Sequence, residues 1–326
     1  MKKGMSVLRK MVTDLLSRNK VELAEKLIDS WFYGEEKLDS IENFLSESID
    51  LKYQKDEKDE EARKIRTVQN QFIQFLLKYV DSHPLSVRDG STSKLRSLMW
   101  KYSGIKCDDF SKLDIRTGVR FDNPEGGDLV KFNPSNITIL TGGKKVFITG
   151  LRGDTYLDGS GKIIIYGAFN CASGVSIFTH DHEFKAPDKT LWAQGRSFSN
   201  TIIYPECFIG EDVFVFGNLN FRNVIAPKTV TRLKISPPPY TIAGGVGSSY
   251  GVKRILDSAE NFPPDFLKET ITNIKKYSEK YGTHLEKYVR ILGDFLKTEE
   301  KDRDKYPEAW LPYQAKIAEL EKKLFK

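Results

Sequence analysis

The chain is short of sulfur and of histidine: 326 residues contain three cysteines, four methionines and four histidines. Cys107, Cys171 and Cys207 are too few and too scattered for a disulfide framework, and no Cys-x-x-Cys spacing offers a metal site. They read as reduced, buried thiols. Long apolar runs are also missing. The longest lies in Lys162–Phe169 (KIIIYGAF), far below the about 20 residues that span a bilayer, so no membrane span is expected. The N-terminus, MKKGMSVLRKMV, mixes charge with apolar residues and has no continuous signal core; cytoplasmic residence is the expectation. No long basic run or helix-turn-helix signature points to nucleic acid. A net charge of +6 is mild and suits a ligand carrying several phosphates better.

What is present is the composition of a globular protein, 39% hydrophobic and 29% charged, rather than of a disordered or fibrous chain. The length leaves room for about two domains, or for one core with helical additions. Three regions differ in pattern, and the boundaries fall at 1–100, 101–255 and 256–326.

The first region has helical spacing. Leu8, Val12 and Leu15, then Leu23, Leu27 and Trp31, and later Ile65, Val68, Phe72, Phe75, Leu76 and Tyr79 recur at steps of three and four. Between them the mixed-charge run Lys52–Lys64 reads as a solvated helix or a linker. His83-Pro84 and Asp89-Gly90-Ser91-Thr92 break the pattern. After Pro263-Pro264 the helical spacing returns through Phe266, Ile274, Tyr281, Leu285, Tyr288, Leu292 and Phe295. Trp310, Tyr313, Ile317, Leu320 and Leu324 then form a seam, either of a helix packed on a neighbour or of a short coiled coil at a trimer contact.

The centre is rich in glycine and β-branched residues and carries a six-residue period. Ile165, Cys171 and Ile177 are six apart, as are Ile163, Phe169 and Val175. A second set follows an interruption: Ile203, Ile209, Val215 and Phe221. An earlier fragment, Ile115 to Phe121, has the same internal arrangement. One inward aliphatic in six residues describes one flat side of a triangular coil, whose successive turns stack parallel strands at about 4.8 Å. An ordinary sheet of alternating strands predicts no such period. The expected fold is mainly β: a left-handed parallel β-helix flanked by N-terminal and C-terminal α-helical regions.

Three features extend the reading: the rung Val175–His182, which ends in Thr-His-Asp-His; the excursion from Phe184 to Asn200; and Pro237–Gly245 followed by Gly251–Ile255. Together they resemble the hexapeptide-repeat O-acetyltransferases of the galactoside, maltose and capsule acetyltransferase type, over about 150 residues. The resemblance implies an acyltransferase that moves an acetyl group from acetyl-CoA to a hydroxyl of a sugar or polysaccharide, and a homotrimer with sites between subunits. It implies that His180 is the general base. An imidazole can take the proton of an alcohol as it attacks a thioester. On its residues alone, a histidine closing an apolar rung reads rather as a satisfied structural residue.

His182 is the second catalytic candidate, either orienting substrate or His180, or facing solvent. Asp181 or Glu183 would be a convenient partner for an imidazole, but neighbours on an extended segment point to opposite faces. A partner from another rung or subunit fits as well. Trp192 and Arg196 in the excursion are the substrate-binding candidates. The resemblance places coenzyme A along the last coils, with Lys228, Arg232, Lys234, Lys253 and Arg254 as phosphate partners and Ala243, Gly244 and Gly245 leaving room for pantetheine. No resident metal is implied.

The chain departs from the family pattern twice. Phe221 leads almost directly to Val224-Ile225-Ala226-Pro227 where the pattern has another pair of hexapeptides, and Val246–Tyr250 replaces the usual Asn-Pro-Ala. Two other readings stand beside the first. A carbonic anhydrase of similar fold needs three histidines on zinc, and only His180 and His182 are local. A non-catalytic trimeric scaffold or glycan-binding protein fits the altered closing segment.

Overall fold

The computed structural model describes residues 14, 17–54, 60–86, 91–121, 134–142, 146–148, 155–190, 193–231, 236–239, 241–245, 251–254, 283–296 and 310–324. Leu8, Val12, Leu15, Trp192, Arg232, Lys234, Val246–Tyr250, Phe266, Ile274 and Tyr281 lie outside them, and the side chains of Lys253, Arg254, Leu285, Phe295 and Leu324 are likewise not described.

Four helices come first: α1 (Arg18–Phe32), α2 (Leu38–Ser48), α3 (Glu60–Ser82) and α4 (Ser91–Tyr102). Ser17 caps α1 by accepting a hydrogen bond from the Lys20 N–H. The apolar spacing buries Ala24, Ile28, Ile65, Phe72 and Leu76. Leu23 and Phe75, expected inward on spacing, instead face outward, at 47% and 39% exposure. Their neighbours Ala24 and Leu76 take the inward face. Of the charged run, residues 52–54 belong to a 3-10 turn (Leu51–Gln54) and residues 60–64 to the start of α3, while 55–59 lie outside the described residues.

The centre is a three-sided parallel coil. One side stacks β1 (Lys106–Cys107), β3 (Ile137–Leu140), β6 (Ile163–Tyr166) and β11 (Thr201–Ile203). The second stacks β2 (Leu113–Ile115), β4 (Val146–Ile148), β7 (Asn170–Cys171), β12 (Phe208–Ile209), β14 (Val224–Ile225) and β15 (Thr241–Gly244). The third stacks β5 (Tyr156–Leu157), β8 (Ser176–Phe178) and β13 (Phe214–Phe216). The chain visits the sides in rotation and every pair within these stacks is parallel. Ile139, Ile165 and Ile203 stack on one another, as do Ile148, Cys171, Ile209 and Ile225, and Leu157, Ile177 and Val215. All are buried at 1% exposure or less. The period is thus enforced by burial, since each inward side chain meets only the rungs above and below. Asp212, Arg222 and Lys228 take positive φ at corners of the coil.

One member of the period is corrected. Ile203 bridges to Leu219, not to Phe221. The corner at Gly217, with φ +84°, shortens this side by two residues, and Leu219 fills the rung. Phe221 is still fully buried, but beside the C-terminal helices, where its N–H donates to the Tyr288 hydroxyl.

Both ends of the coil are tied to helices. At the first, Ser93 and Ser97 hydroxyls donate to the Leu113 carbonyl, and Trp100 packs edge-on against Phe121 at 5.2 Å. Asp81 accepts from Arg96 and from the Gly118 N–H, and one apolar cluster runs from α1 through to Ala243. At the other, β15 pairs antiparallel with β16 (Gly251–Arg254). Helices α5 (Thr283–Leu296) and α6 (Leu311–Leu324) pack on each other and on the coil. Tyr288 stacks on Tyr204 at 3.8 Å, and Trp310, Ile317 and Leu320 of the seam are buried. Among the described residues no helix is long and apolar enough to cross a membrane.

Candidate active site

The rung of β8 runs on through Thr179 into β9 (His180–His182), which leaves the coil. It pairs antiparallel with β10 (Arg196–Phe198), so the excursion is a two-stranded ribbon, with His180 opposite Phe198 and His182 opposite Arg196. The Ser199 N–H donates to the Thr179 carbonyl and returns the chain to the coil. Catalytic-type side chains therefore sit at the root of a ribbon held by a rigid stack.

His180 has a buried partner. Its Nδ1 lies 2.7 Å from Asp158 Oδ2, and the Asp158 side chain is 1% exposed against 12% for His180. The same oxygen accepts from the Thr179 N–H at 2.9 Å, while Oδ1 accepts from the Ser160 N–H and hydroxyl. Thr179 Oγ1 lies 2.7 Å from the Asp158 carbonyl oxygen and accepts from the Gly161 N–H at 2.7 Å. Burial disfavours the Asp158 anion, but hydrogen bonds from His180, Ser160 and Thr179 outweigh it and hold the carboxyl at about 2. An ionised carboxylate only accepts, so Nδ1 carries a proton toward Asp158, and whenever the ring is neutral its lone pair is on Nε2. This arrangement fixes the orientation of the ring at the root of the ribbon.

Asp158 was not among the residues picked out from the sequence. Neither Asp181 nor Glu183 has that place: Asp181 Oδ1 accepts from the His182 N–H, and both flank histidines on an extended strand. His182 is exposed, with its ring 5.7 Å from that of His180. Phe178 stands edge-on to His180 at 6.2 Å and stacks with Phe214 and Phe216 on the next rung. Arg196 is partly exposed on the ribbon.

The remaining candidates among the described residues lie at the far end of the coil. Lys228 is exposed at a corner, its N–H donating to the Glu211 carbonyl. Ala243 points inward and is fully buried in register with Ile225. Gly244 packs so closely on Ala226 that an added Cβ would come to 3.1 Å from its methyl. Gly245 has φ +105°, a conformation that favours glycine. Lys253 and Arg254 lie on β16 opposite Ile242 and Thr241. A cleft of 260 Å³ between α6 and the coil, lined by Asn218, Asn220, Trp310, Gln314 and Glu321 among others, includes none of these residues. His83, in the helical region, stacks on Phe32 at 3.9 Å. No group of three His, Cys, Asp or Glu suited to a metal occurs among the described residues.

No family model matches the chain, and no curated protein does. Solved structures similar to it include a galactoside acetyltransferase in complex with coenzyme A, at 15% identity over 62% of this chain and 88% of that one, with a TM-score of 0.43. A maltose O-acetyltransferase from Clostridium difficile 630 is 17% identical over 59% and 89%, with a TM-score of 0.35. A hexapeptide-repeat-containing acetyltransferase from Vibrio cholerae O1 biovar eltor, complexed with acetyl coenzyme A, is 12% identical over 61% and 91%, also at 0.35. None of these similarities is strong enough to assign a family.

Proposed function

We propose that this protein is an acetyl-CoA-dependent O-acetyltransferase acting on a sugar or polysaccharide hydroxyl, with His180 as general base. The observation that carries the reading is the buried Asp158–His180 pair at the root of the ribbon, in the Thr-His-Asp-His motif whose family resemblance implies that chemistry. His180 Nε2 would accept the acceptor's hydroxyl proton as its oxygen attacks the thioester carbonyl. The resulting imidazolium is stabilised by Asp158. When the carbon–sulfur bond breaks, His180 returns the proton to the thiolate, so the products are the ester and free coenzyme A. Backbone N–H groups are the natural donors for the tetrahedral oxyanion.

The reading includes a left-handed sense for the coil over 101–255, helical regions at 1–100 and 256–326, a homotrimer and a cytoplasmic setting. His182 would orient the acceptor, and Trp192 and Arg196 would bind it. Lys228, Arg232, Lys234, Lys253 and Arg254 would meet the phosphates of coenzyme A. Ala243, Gly244 and Gly245 would lie along its pantetheine arm. Of these five cations Lys228 is the one whose side chain is described, and it is exposed.

The test is thiol release from acetyl-CoA across a panel of sugars and oligosaccharides, for wild type and His180→Ala. A loss of about 10²-fold or more in the variant is expected. Equal rates remove His180 from the mechanism. Saturable binding of coenzyme A by calorimetry separates this reading from a non-catalytic glycan-binding scaffold, which would bind none.

A further inference from the structure

The register of the ribbon sorts its side chains by face. Residues directly opposite across an antiparallel pair share a face, and alternate residues along each strand return to it. His180, His182, Phe198 and Arg196 are therefore on one face, and Asp181 and Ser197 are on the other. The two histidine rings, 5.7 Å apart, agree with that sorting.

The shared face is chemically lopsided. It carries a full positive charge at Arg196, two imidazoles and an aromatic ring, Phe198, which is 48% exposed. Asp181, in register with Ser197, is on the other face and accepts from a backbone N–H, and Glu183, two residues on, alternates to that same face. Among the described residues Arg196 enters no ion pair. Beyond the ribbon the aromatic surface continues through Phe178, edge-on to His180, and Phe214, 42% exposed.

We infer that the acceptor is an acidic one: a sugar bearing a carboxylate or phosphate, whose anionic group is received by Arg196 and His182 while a hydroxyl lies at His180. This deepens the acyl-transfer reading and rests on it. The His182–Arg196 pair is two residues along the strands from His180 and Phe198, on the order of 7 Å. That matches the span across one hexose ring. The apolar face of the ring would pack on Phe198, and the guanidinium fork suits either anion bidentately. A neutral sugar would leave the arginine with water alone.

The experiment compares matched acceptors at equal concentration: galactose with galacturonic acid, and glucose with glucose 6-phosphate. Thiol release is measured for wild type, Arg196→Gln, Arg196→Lys and His180→Ala. The wild type should prefer an anionic member by about tenfold or more in kcat/KM, and the preference should shrink with added salt. In Arg196→Gln the ratio should fall close to one whatever the absolute rates, and Arg196→Lys should keep part of it. The carboxylate and phosphate arms show which anion is favoured. A wild-type ratio near one, or a preference that survives Arg196→Gln, overturns the inference while leaving acyl transfer standing. If no acceptor gives His180-dependent release, the acyl-transfer reading falls and takes this inference with it.

Discussion

Tyr204, on the coil, donates its phenol to the Glu321 carboxyl of the last helix across 3.1 Å, although 117 residues separate them. The other carboxyl oxygen accepts from Asn218 at 2.7 Å. Both partners are neutral. Burial raises the Glu321 carboxyl from 4.5 to about 7, against the smaller lowering effect of these two hydrogen bonds.

The sign of the consequence follows from proton counting. Between about pH 4.5 and 7 the folded state holds a proton on Glu321 that the unfolded chain has released, so stability falls as pH rises through that window. The upper bound is on the order of 3 kcal/mol, fully lost above pH 7. Glu321→Gln keeps both contacts, with its oxygen toward Asn218 and its amide toward the Tyr204 oxygen. Urea denaturation at pH 5 and pH 8 should show wild type losing stability that the variant retains. Parallel curves for the two proteins would show that Glu321 is already ionised in the fold.

On the acyl-transfer reading, Asp158 would act through His180, its hydrogen-bonded partner, and would not itself meet substrate. Asp158→Asn removes the acceptor that fixes the Nδ1–H tautomer, since an amide nitrogen can face the ring and reverse it. A fall in kcat of about 100-fold or more is expected, with the KM for acetyl-CoA little changed. The nitrogen-15 spectrum of His180 should show the change of tautomer. An unaltered spectrum with unaltered kcat would reduce Asp158 to a structural residue. Because Asp158 is buried and holds four donors, Asp158→Ala should also destabilise the fold by about 1–3 kcal/mol.

The repeat was readable because each inward position has the same environment, and Ile165, Cys171 and Ile177 mark it at equal intervals. What escaped were places where a corner changes length. Leu157 stacks on Ile177, twenty residues later rather than eighteen, because the corner at Gly159–Lys162 is two residues long of the period. That shift sets Asp158 beneath Phe178 and within reach of His180. Counted at an even period, it would have fallen beside Ser176. The opposite error hid Leu219, where the corner at Gly217 is short by two. His180 stands out in the sequence only through its motif. Its partner was a matter of three-dimensional register, which spacing along the chain does not encode.

The cysteines give a simple chemical check. Cys171 and Cys207 are buried, and burial raises the Cys207 thiol to about 12. Half-buried Cys107 is raised to about 12 as well, again by burial. Thiolate is the reactive form, so at pH 8 almost none is available. A chromogenic disulfide reagent should titrate few thiols in the native protein and three after denaturation. Rapid native reaction of all three would contradict the packing of the coil.

Gly161 offers the sharpest test of how the coil holds His180. Its N–H donates to Thr179 Oγ1, and a Cβ added to it would lie 2.0 Å from the Ser199 carbonyl oxygen and 3.0 Å from the Thr179 Cβ. Both of those atoms belong to backbone or a stiff side chain at the root of the ribbon, so neither can yield without moving His180. Gly161→Ala should therefore cost about 1–3 kcal/mol from overpacking. It should also lower kcat by more than that instability explains at temperatures where the variant is fully folded. Gly195, at the other end of the ribbon, has open space around it but φ +82°, so Gly195→Ala would strain only the exposed hairpin. Its effect on kcat should be much smaller. Equal losses in the two variants would mean that the ribbon moves as a loose unit, and that the contact at Gly161 does not position His180.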